Sequence, residues 1–166
     1  MVLALAPLLH ADLSRGQSPY MLCSDASMLG GAALYTDHVD WHRTQTCIYT
    51  NKQEAVEYTN PLPALTWKQI TQLRWAYKKH INVLEGVAVL LGLRWMGRNS
   101  HLRGCQVTVI IDSQVIFYML KKGRTGSERL YRTSRRIGAL SLALNLRIDP
   151  VWVPSKENPS DAPSRA

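Results

Sequence analysis

The spacing of apolar positions changes several times along the chain, and each change predicts a different element. One long helix is indicated by apolar residues that recur three or four positions apart over four turns, namely Ile81, Leu84, Ala88, Leu91 and Trp95. Residues 107–111 are a β-branched run, which is typical of a central strand buried on both faces. The pattern therefore predicts a long helix followed by a central strand.

Shorter signals predict the remaining elements. Residues 20–23 are expected to form a strand that ends near Asp25, and Gly30 and Gly31 precede an antiparallel return strand. Helical spacing resumes at 116–122, ahead of Gly123, and again at 127–146, and a last strand is expected at 148–153. Between the return strand and the long helix the pattern weakens, and residues 51–79 are expected to be a long irregular segment. A strand at about 46–50, just before it, and a short helix at about 67–77 are the interpretations available there.

Length and composition favour a single domain, at 20–166, preceded by an amino-terminal arm at 1–19. Apolar residues make up 46% of the 166 residues and charged residues 19%, which is typical of a globular chain. The apolar stretch at 83–93 is interrupted by Glu85 and is too short to span a bilayer, and the amino terminus is a poor signal peptide. Three cysteines without close pairing favour an intracellular, reducing compartment, either cytoplasm or nucleus.

Positive charge is concentrated in the last part of the chain. From Lys121 onward there are ten Lys or Arg residues against four acidic ones, so this part holds +6 of the total net charge of +8. A basic surface of this kind attracts polyanions such as nucleic acid, although a merely solvated basic helix has the same composition.

Four carboxylates lie in contexts that direct them towards one end of a sheet. Asp25 follows the first predicted strand, and Asp112 ends the central strand where a helix begins, the position at which open α/β sheets place active sites. Glu85 lies at the edge of an apolar helix face, and Asp161 lies in a polar turn. Three of them also have a structural interpretation: Glu85 completes a capping box if Asn82 is the N-cap, and the two later aspartates cap helices.

The order of these segments resembles the ribonuclease H family. The segments INVLEGVAVLLGLRWM, KKGRTGSERL and WVPSKENPSDAPSR are similar to the ribonuclease H domain of reverse-transcribing elements of the DIRS, tyrosine-recombinase type. The likeness covers about residues 20–165, and the IDSQ and NPSDAPSR segments are its most specific parts. It implies a mixed α/β fold, with a central five-stranded sheet flanked by helices.

The resemblance also implies a catalytic centre. Asp25, Glu85, Asp112 and Asp161 are expected to be the catalytic residues and to bind two divalent ions, usually Mg²⁺, with Mn²⁺ as a substitute. By motif, Asp25 bridges the two ions, Glu85 and Asp112 hold one, and Asp161 completes the other. Many relatives carry a histidine between the third and fourth carboxylates, but none lies between Asp112 and Asp161 here.

The family's substrate is the RNA strand of an RNA/DNA hybrid, recognised partly through 2′-hydroxyl groups. The residues expected to contact it are Asn82, Ser113, Gln114, Lys121, Lys122, Arg129, Arg132, Arg135, Arg136 and Asn158. The likeness further implies a reverse transcriptase domain in the same polyprotein, no membrane partner, and a monomer when the domain is isolated.

Three other interpretations remain open. A degenerate ribonuclease H-like domain would bind nucleic acid, or act as a scaffold, without cutting. An integrase-like enzyme would place its catalytic glutamate after the second strand aspartate, whereas Glu85 precedes Asp112. A zinc module is suggested by His38, His42 and Cys47, but the sequence around the two histidines lacks the helix that their spacing requires.

Overall fold

The computed structural model describes residues 15–37 and 65–166. The strands are β1 (Met21–Ala26), β2 (Gly30–Thr36), β3 (Lys68–Arg74), β4 (Gln106–Ile111) and β5 (Arg147–Trp152). The helices are α1 (Ile81–Arg98), α2 (Gln114–Lys122), α3 (Glu128–Ala143) and α4 (Asp161–Ser164), with short 3-10 turns at Ser100–Leu102 and Ser155–Glu157.

The strands form one mixed sheet in the order β3-β2-β1-β4-β5. β1 pairs antiparallel with β2, and β2 pairs antiparallel with β3, whereas β1–β4 and β4–β5 are parallel. The β1–β2 hairpin depends on Gly30 and Gly31, because a Cβ at Gly31 would lie 2.5 Å from the Trp75 ring and one at Gly30 would lie 2.5 Å from the Leu73 carbonyl oxygen. The predicted five-stranded mixed sheet is confirmed.

The main core lies between the sheet and the helices α1, α2 and α3. Alternation along the strands sends Leu22, Val107 and Val109 to this face, where they pack with Leu93 and Met96 of α1. Cys23 and Ile110 point to the opposite face. The one-turn helix α4 packs against β1 and β2. The carboxyl end of β1 is therefore held between α1 and α4.

Most predicted elements are confirmed, but residues 67–77 do not form a helix. The segment forms β3, an edge strand whose backbone pairs with β2 from Gly30↔Arg74 to Tyr35↔Lys68. Polar residues dominate this strand because it lies at the edge of the sheet and is largely exposed. The prediction of an irregular 51–79 segment is therefore wrong for 68–74. Residues 51–64, the strand at 46–50 and the zinc candidates His38, His42 and Cys47 lie outside the described residues.

The start of α1 also differs from the prediction. The N-cap is His80 rather than Asn82, and its Nδ1 accepts a hydrogen bond from the backbone N–H of Asn82 at 3.3 Å. Glu85 is therefore five residues after the N-cap, too far along the helix to complete a capping box. Its position has to be explained by what it contacts inside the protein.

The ends of the other helices follow the sequence more closely. α2 ends at Gly123, which has the left-handed φ of 63° that a glycine adopts without strain. Pro163 lies in the first turn of α4, where it removes no helical hydrogen bond. At the amino-terminal side, Gly16 and Ser18 already exchange backbone hydrogen bonds with Gln106. None of the helices in the described part of the chain combines the length and apolarity needed to cross a bilayer.

Candidate active site

Three of the four predicted carboxylates meet at one end of the sheet. Asp25, Glu85 and Asp112 each offer an oxygen atom, and these atoms all lie within 4.8 Å of one another. β1 and β4 are parallel neighbours, so Asp25 and the residue that follows β4, Asp112, reach the same edge. α1 packs along β1 and adds Glu85 from the side. We call these three residues the carboxylate cluster.

Burial strongly affects the protonation of this cluster. Asp25 is only 4% exposed and Glu85 9% exposed. Desolvation, together with repulsion from Asp25 and Asp112, raises the pKa of Glu85 from 4.5 to about 9. Desolvation also raises the pKa of Asp25 from 3.8 to about 6, although a hydrogen bond from Ser164 partly opposes this. Without a cation, Glu85 therefore keeps its proton at neutral pH.

Asp112 supplies the observation that favours a cation directly. Its Oδ1 is buried and has no hydrogen-bond partner among the described residues. Its backbone carbonyl is fixed by the Trp152 indole N–H, which donates to it at 2.7 Å. A buried carboxylate oxygen without a donor is costly, whereas a hard divalent cation prefers such an oxygen as a ligand. The residues of the carboxylate cluster therefore fit a Mg²⁺ site.

Asp25 has a partner that the sequence did not suggest. The Ser164 hydroxyl donates a hydrogen bond to Asp25 Oδ2, and the Ser164 carbonyl accepts one from Ser27 Oγ at 2.7 Å. Ser164 is completely buried. The last turn of the described chain thus orients Asp25. The serine three residues after Asp161 was the available signal, but serines in short helices are too common to be informative alone.

Asn158, predicted to contact substrate, is buried and bonded inside the protein. Its Oδ1 accepts hydrogen bonds from Cys23 Sγ at 2.7 Å and from the Ser160 hydroxyl at 2.6 Å, and its Nδ2 donates to the Ser24 carbonyl at 3.3 Å. Burial raises the pKa of the Cys23 thiol to about 12, so the thiol remains a neutral donor. Asn158 ties the segment before α4 to β1, next to Asp25.

Asp161 lies outside the carboxylate cluster. Its Oδ1 accepts two hydrogen bonds from the Arg165 guanidinium, at 2.6 Å from Nη2 and 3.1 Å from Nε. The pair is partly open to solvent, with side chains 29% exposed for Asp161 and 64% for Arg165. The structure thus gives Asp161 a cationic partner of its own, while its charge still contributes to raising the pKa of Asp25.

The other predicted substrate contacts fall into two groups. Asn82, Ser113 and Gln114 lie at the amino-terminal ends of α1 and α2, within three residues of Glu85 or Asp112. The cations lie further from the cluster along the sequence and point in several directions. Lys121 and Lys122 lie over the rings of Phe117 and Tyr118, Arg135 lies over Tyr131, and Arg129, Arg132 and Arg136 line a cavity beside α1.

Solved structures identify the fold. No protein-family model matches the chain, and neither does any curated protein. The N-terminal RNase H domain of Rv2228c from Mycobacterium tuberculosis, solved as a fusion with maltose binding protein, superimposes with a TM-score of 0.53 at 13% identity, covering 87% of this chain and 92% of that one. LC11-RNase H1, isolated from compost by a metagenomic approach, gives 0.51 at 14% identity over 84% and 85%. The fold is ribonuclease H-like.

Proposed function

We propose that this domain is a ribonuclease H, an endonuclease that hydrolyses the RNA strand of RNA/DNA hybrids with two divalent ions. The observation that carries the proposal is the convergence of Asp25, Glu85 and Asp112 from three separate elements of a ribonuclease H-like fold. Two of these carboxyl groups are deeply buried, where unpaired negative charges are destabilising unless a cation joins them.

The carboxylate cluster would hold the metal through oxygen atoms alone. Asp25, Glu85 and Asp112 would supply these ligands, and Asp161 would join them if its carboxylate left Arg165. Bound divalent ions would supply a more acidic water as nucleophile and charge stabilisation for the leaving oxygen. Mn²⁺ has the same preference for oxygen ligands and should substitute for Mg²⁺.

The protein's own groups position these ligands and the substrate. Ser164 and Asn158 fix β1 and the segment before α4, which limits the freedom of Asp25. Asn82, Ser113 and Gln114 lie next in sequence to cluster residues or close to them, where amide and hydroxyl groups can contact the 2′-hydroxyls that distinguish RNA from DNA. Lys121 and Lys122 add positive charge for backbone phosphates.

The sequence segments that resemble retroelement domains support a role beside a reverse transcriptase. In that setting the domain would remove the RNA strand after DNA synthesis, within an intracellular compartment. The two solved neighbours support the nuclease activity, since each is named as an RNase H. The retroelement context rests on the segments INVLEGVAVLLGLRWM, KKGRTGSERL and WVPSKENPSDAPSR alone.

Cleavage of a labelled RNA/DNA hybrid in Mg²⁺ tests the proposal. Asp112→Asn should lower the cleavage rate by more than about a hundredfold, since even residues that only support a metal ligand cost roughly 10–100-fold when changed. Asp149→Asn is the matched control, because Asp149 is an exposed aspartate of β5 outside the carboxylate cluster. Duplex DNA and duplex RNA of the same sequence should remain intact. Equal cleavage rates for the two variants would refute the assignment.

A non-catalytic nucleic-acid-binding domain is the second candidate. The Asp161–Arg165 ion pair favours it, because a cation already neutralises the fourth predicted ligand. Binding of the hybrid without cleavage, in either Mg²⁺ or Mn²⁺, would select this candidate.

A further inference from the structure

A basic trough runs along the outer side of α1. It is a cavity of about 690 Å³ between α1, α3 and the segment at 73–80, and we call it the α1–α3 trough. Half-buried Val83, Val87 and Leu91 contribute apolar surface to it. The positively charged residues that line it are Arg74, Lys79, Arg94, Arg129, Arg132 and Arg136.

The trough faces away from the carboxylate cluster. Val83 and Val87 lie two residues before and after Glu85, which places their side chains about 160–200° around the helix from it. Gly86 meets α3 at Thr133, whose methyl group would lie 2.8 Å from an added Cβ, so α3 forms one wall of the trough. A helix is about 10 Å wide, so a ligand in the trough lies across α1 from the cluster.

The positive charge of the trough favours a polyanion as its ligand. No carboxylate is present among the described residues that line it. The lining cations make none of the salt bridges found in the described parts of the chain, which join Lys68 to Asp37 and Arg165 to Asp161. Exposed cations on facing walls create a positive potential that concentrates phosphate groups.

The size of the trough and its apolar surface favour a single strand over a duplex as its ligand. A cavity of this volume is in the size range of sites for small ligands, and it is far smaller than a duplex. The lining also includes Trp75 and Tyr77, and Tyr77 is 53% exposed with Lys79 Nζ lying 4.5 Å from its ring centroid. Stacking platforms beside cations are the usual means of holding unpaired bases. We propose that the α1–α3 trough binds single-stranded nucleic acid.

A second, smaller cavity extends this surface towards the cluster. It has a volume of about 360 Å³ and shares His80, Val83 and Arg129 with the trough, and its lining also includes Asn82, Ser127 and one carboxylate, Glu128. A single strand continuing from a hybrid at the carboxylate cluster could therefore pass the amino-terminal ends of α1 and α3. The inference goes beyond the proposed function, because binding in the trough requires neither a metal ion nor cleavage.

Fluorescence anisotropy of labelled (dT)12 and (rU)12 in EDTA tests the proposal. Arg132→Gln should weaken binding by about threefold to tenfold and reduce the slope of log K against log salt by about 0.7, the value for one phosphate contact on a single strand. Arg135→Gln is the matched control, since Arg135 is an exposed arginine on the same helix that does not line the trough. Its effect should be less than about twofold.

Two further measurements distinguish binding in the trough from non-specific attraction to the protein's positive charge. Tyr77→Ala should weaken single-strand binding by about fivefold or more, the loss expected for one stacked base. A blunt DNA duplex should lose little affinity in Arg132→Gln. The proposal would be overturned if Arg135→Gln lowered single-strand affinity as much as Arg132→Gln does, or if Arg132→Gln lowered duplex affinity as much as single-strand affinity. It would also be overturned if poly-glutamate competed as strongly as (dT)12. Cleavage of a blunt hybrid is measured separately, so failure here leaves the proposed nuclease function untouched.

Discussion

The carboxylate cluster and the Asp161–Arg165 pair lie at the same end of the molecule, yet their carboxylates differ in burial and in whether a cationic side chain is paired with them. In the cluster, Asp25, Glu85 and Asp112 bring oxygen atoms within 4.8 Å of one another, and two of the three residues are buried. At the carboxyl-terminal end, Asp161 is partly exposed and paired with a guanidinium. In the described part of the chain no salt bridge joins the cluster to a cation, whereas Asp161 is paired with Arg165.

From this difference we expect burial, rather than the number of carboxylates, to decide which of them depend on a metal. A partly exposed pair is solvated and contributes little in either direction. Buried carboxyl groups that face one another must hold protons or bind a cation. Of the four predicted ligands, Glu85 and Asp25 should therefore respond most strongly to metal and pH, and Asp161 least.

The largest expected effect is stabilisation by Mg²⁺. At about 100 times the dissociation constant, a ligand that binds only the folded state adds about 2.7 kcal/mol to the free energy of unfolding. For a chain of 166 residues this corresponds to a rise in Tm of about 5–10 °C. Thermal melts in Mg²⁺ and in EDTA at matched ionic strength measure it, and Asp112→Asn should abolish most of the rise. An unchanged Tm would show that the cluster does not bind Mg²⁺, so that it would not differ from the Asp161–Arg165 pair in its dependence on metal.

Loss of the Asn158 side chain should be the next largest effect. Asn158→Ala leaves the Cys23 thiol, the Ser160 hydroxyl and the Ser24 carbonyl without their buried partner, and should cost about 2 kcal/mol in urea denaturation. Asn99→Ala is the control, since among the described residues its side chain makes one hydrogen bond, to the Trp95 carbonyl, and the change should cost less. If Asn158 instead acts only on substrate, the variant will retain full stability and lose affinity for hybrid.

The pH dependence of the metal-free protein tests the burial of the cluster. The pKa values of Glu85 and Asp25 are raised in the folded state, to about 9 and about 6, so the folded state holds more protons than the unfolded state between about pH 4 and pH 9. Their contribution to stability is complete below about pH 4 and is lost as the pH rises through these values.

Glu85→Gln should therefore lie close to the wild type in EDTA at pH 5 and exceed its Tm by about 5 °C or more at pH 9, because glutamine has no proton to lose. Mg²⁺ should flatten the wild-type profile. Parallel melting profiles for the two proteins across this range would show that Glu85 is not desolvated in the folded state.

Removing Arg165 should have the smallest effect on stability. Arg165→Gln should change Tm by less than about 2 °C, because the pair is exposed. It frees the Asp161 carboxylate, so Mg²⁺ affinity measured by calorimetry should increase by about twofold to fivefold. Arg147→Gln, at an exposed arginine of β5, is the control and should leave affinity unchanged. A weaker affinity in Arg165→Gln would mean that Arg165 supports the site.

The sequence predicted the carboxylate cluster because strong local patterns carry its members. A β-branched strand leads to Asp112, and a regular apolar face carries Glu85. The edge strand β3 was mistaken for a helix, since its polar side chains follow from exposure and its pairing with β2 is not encoded locally. The N-cap of α1 was misplaced by two residues for a similar reason, because His80 caps the helix through a side chain that is rarely used in this role.

The sequence by itself determined the order of the strands and helices other than β3, and the identity of the carboxylates, because periodicity and strand ends are properties of short segments. Only the tertiary structure decided which carboxylates meet. Burial, long-range hydrogen bonds such as Ser164 to Asp25, and the direction in which a helical residue points depend on what packs alongside. The same packing placed Arg132 and Arg136 in the α1–α3 trough, across α1 from Glu85, while Arg135 remained outside it.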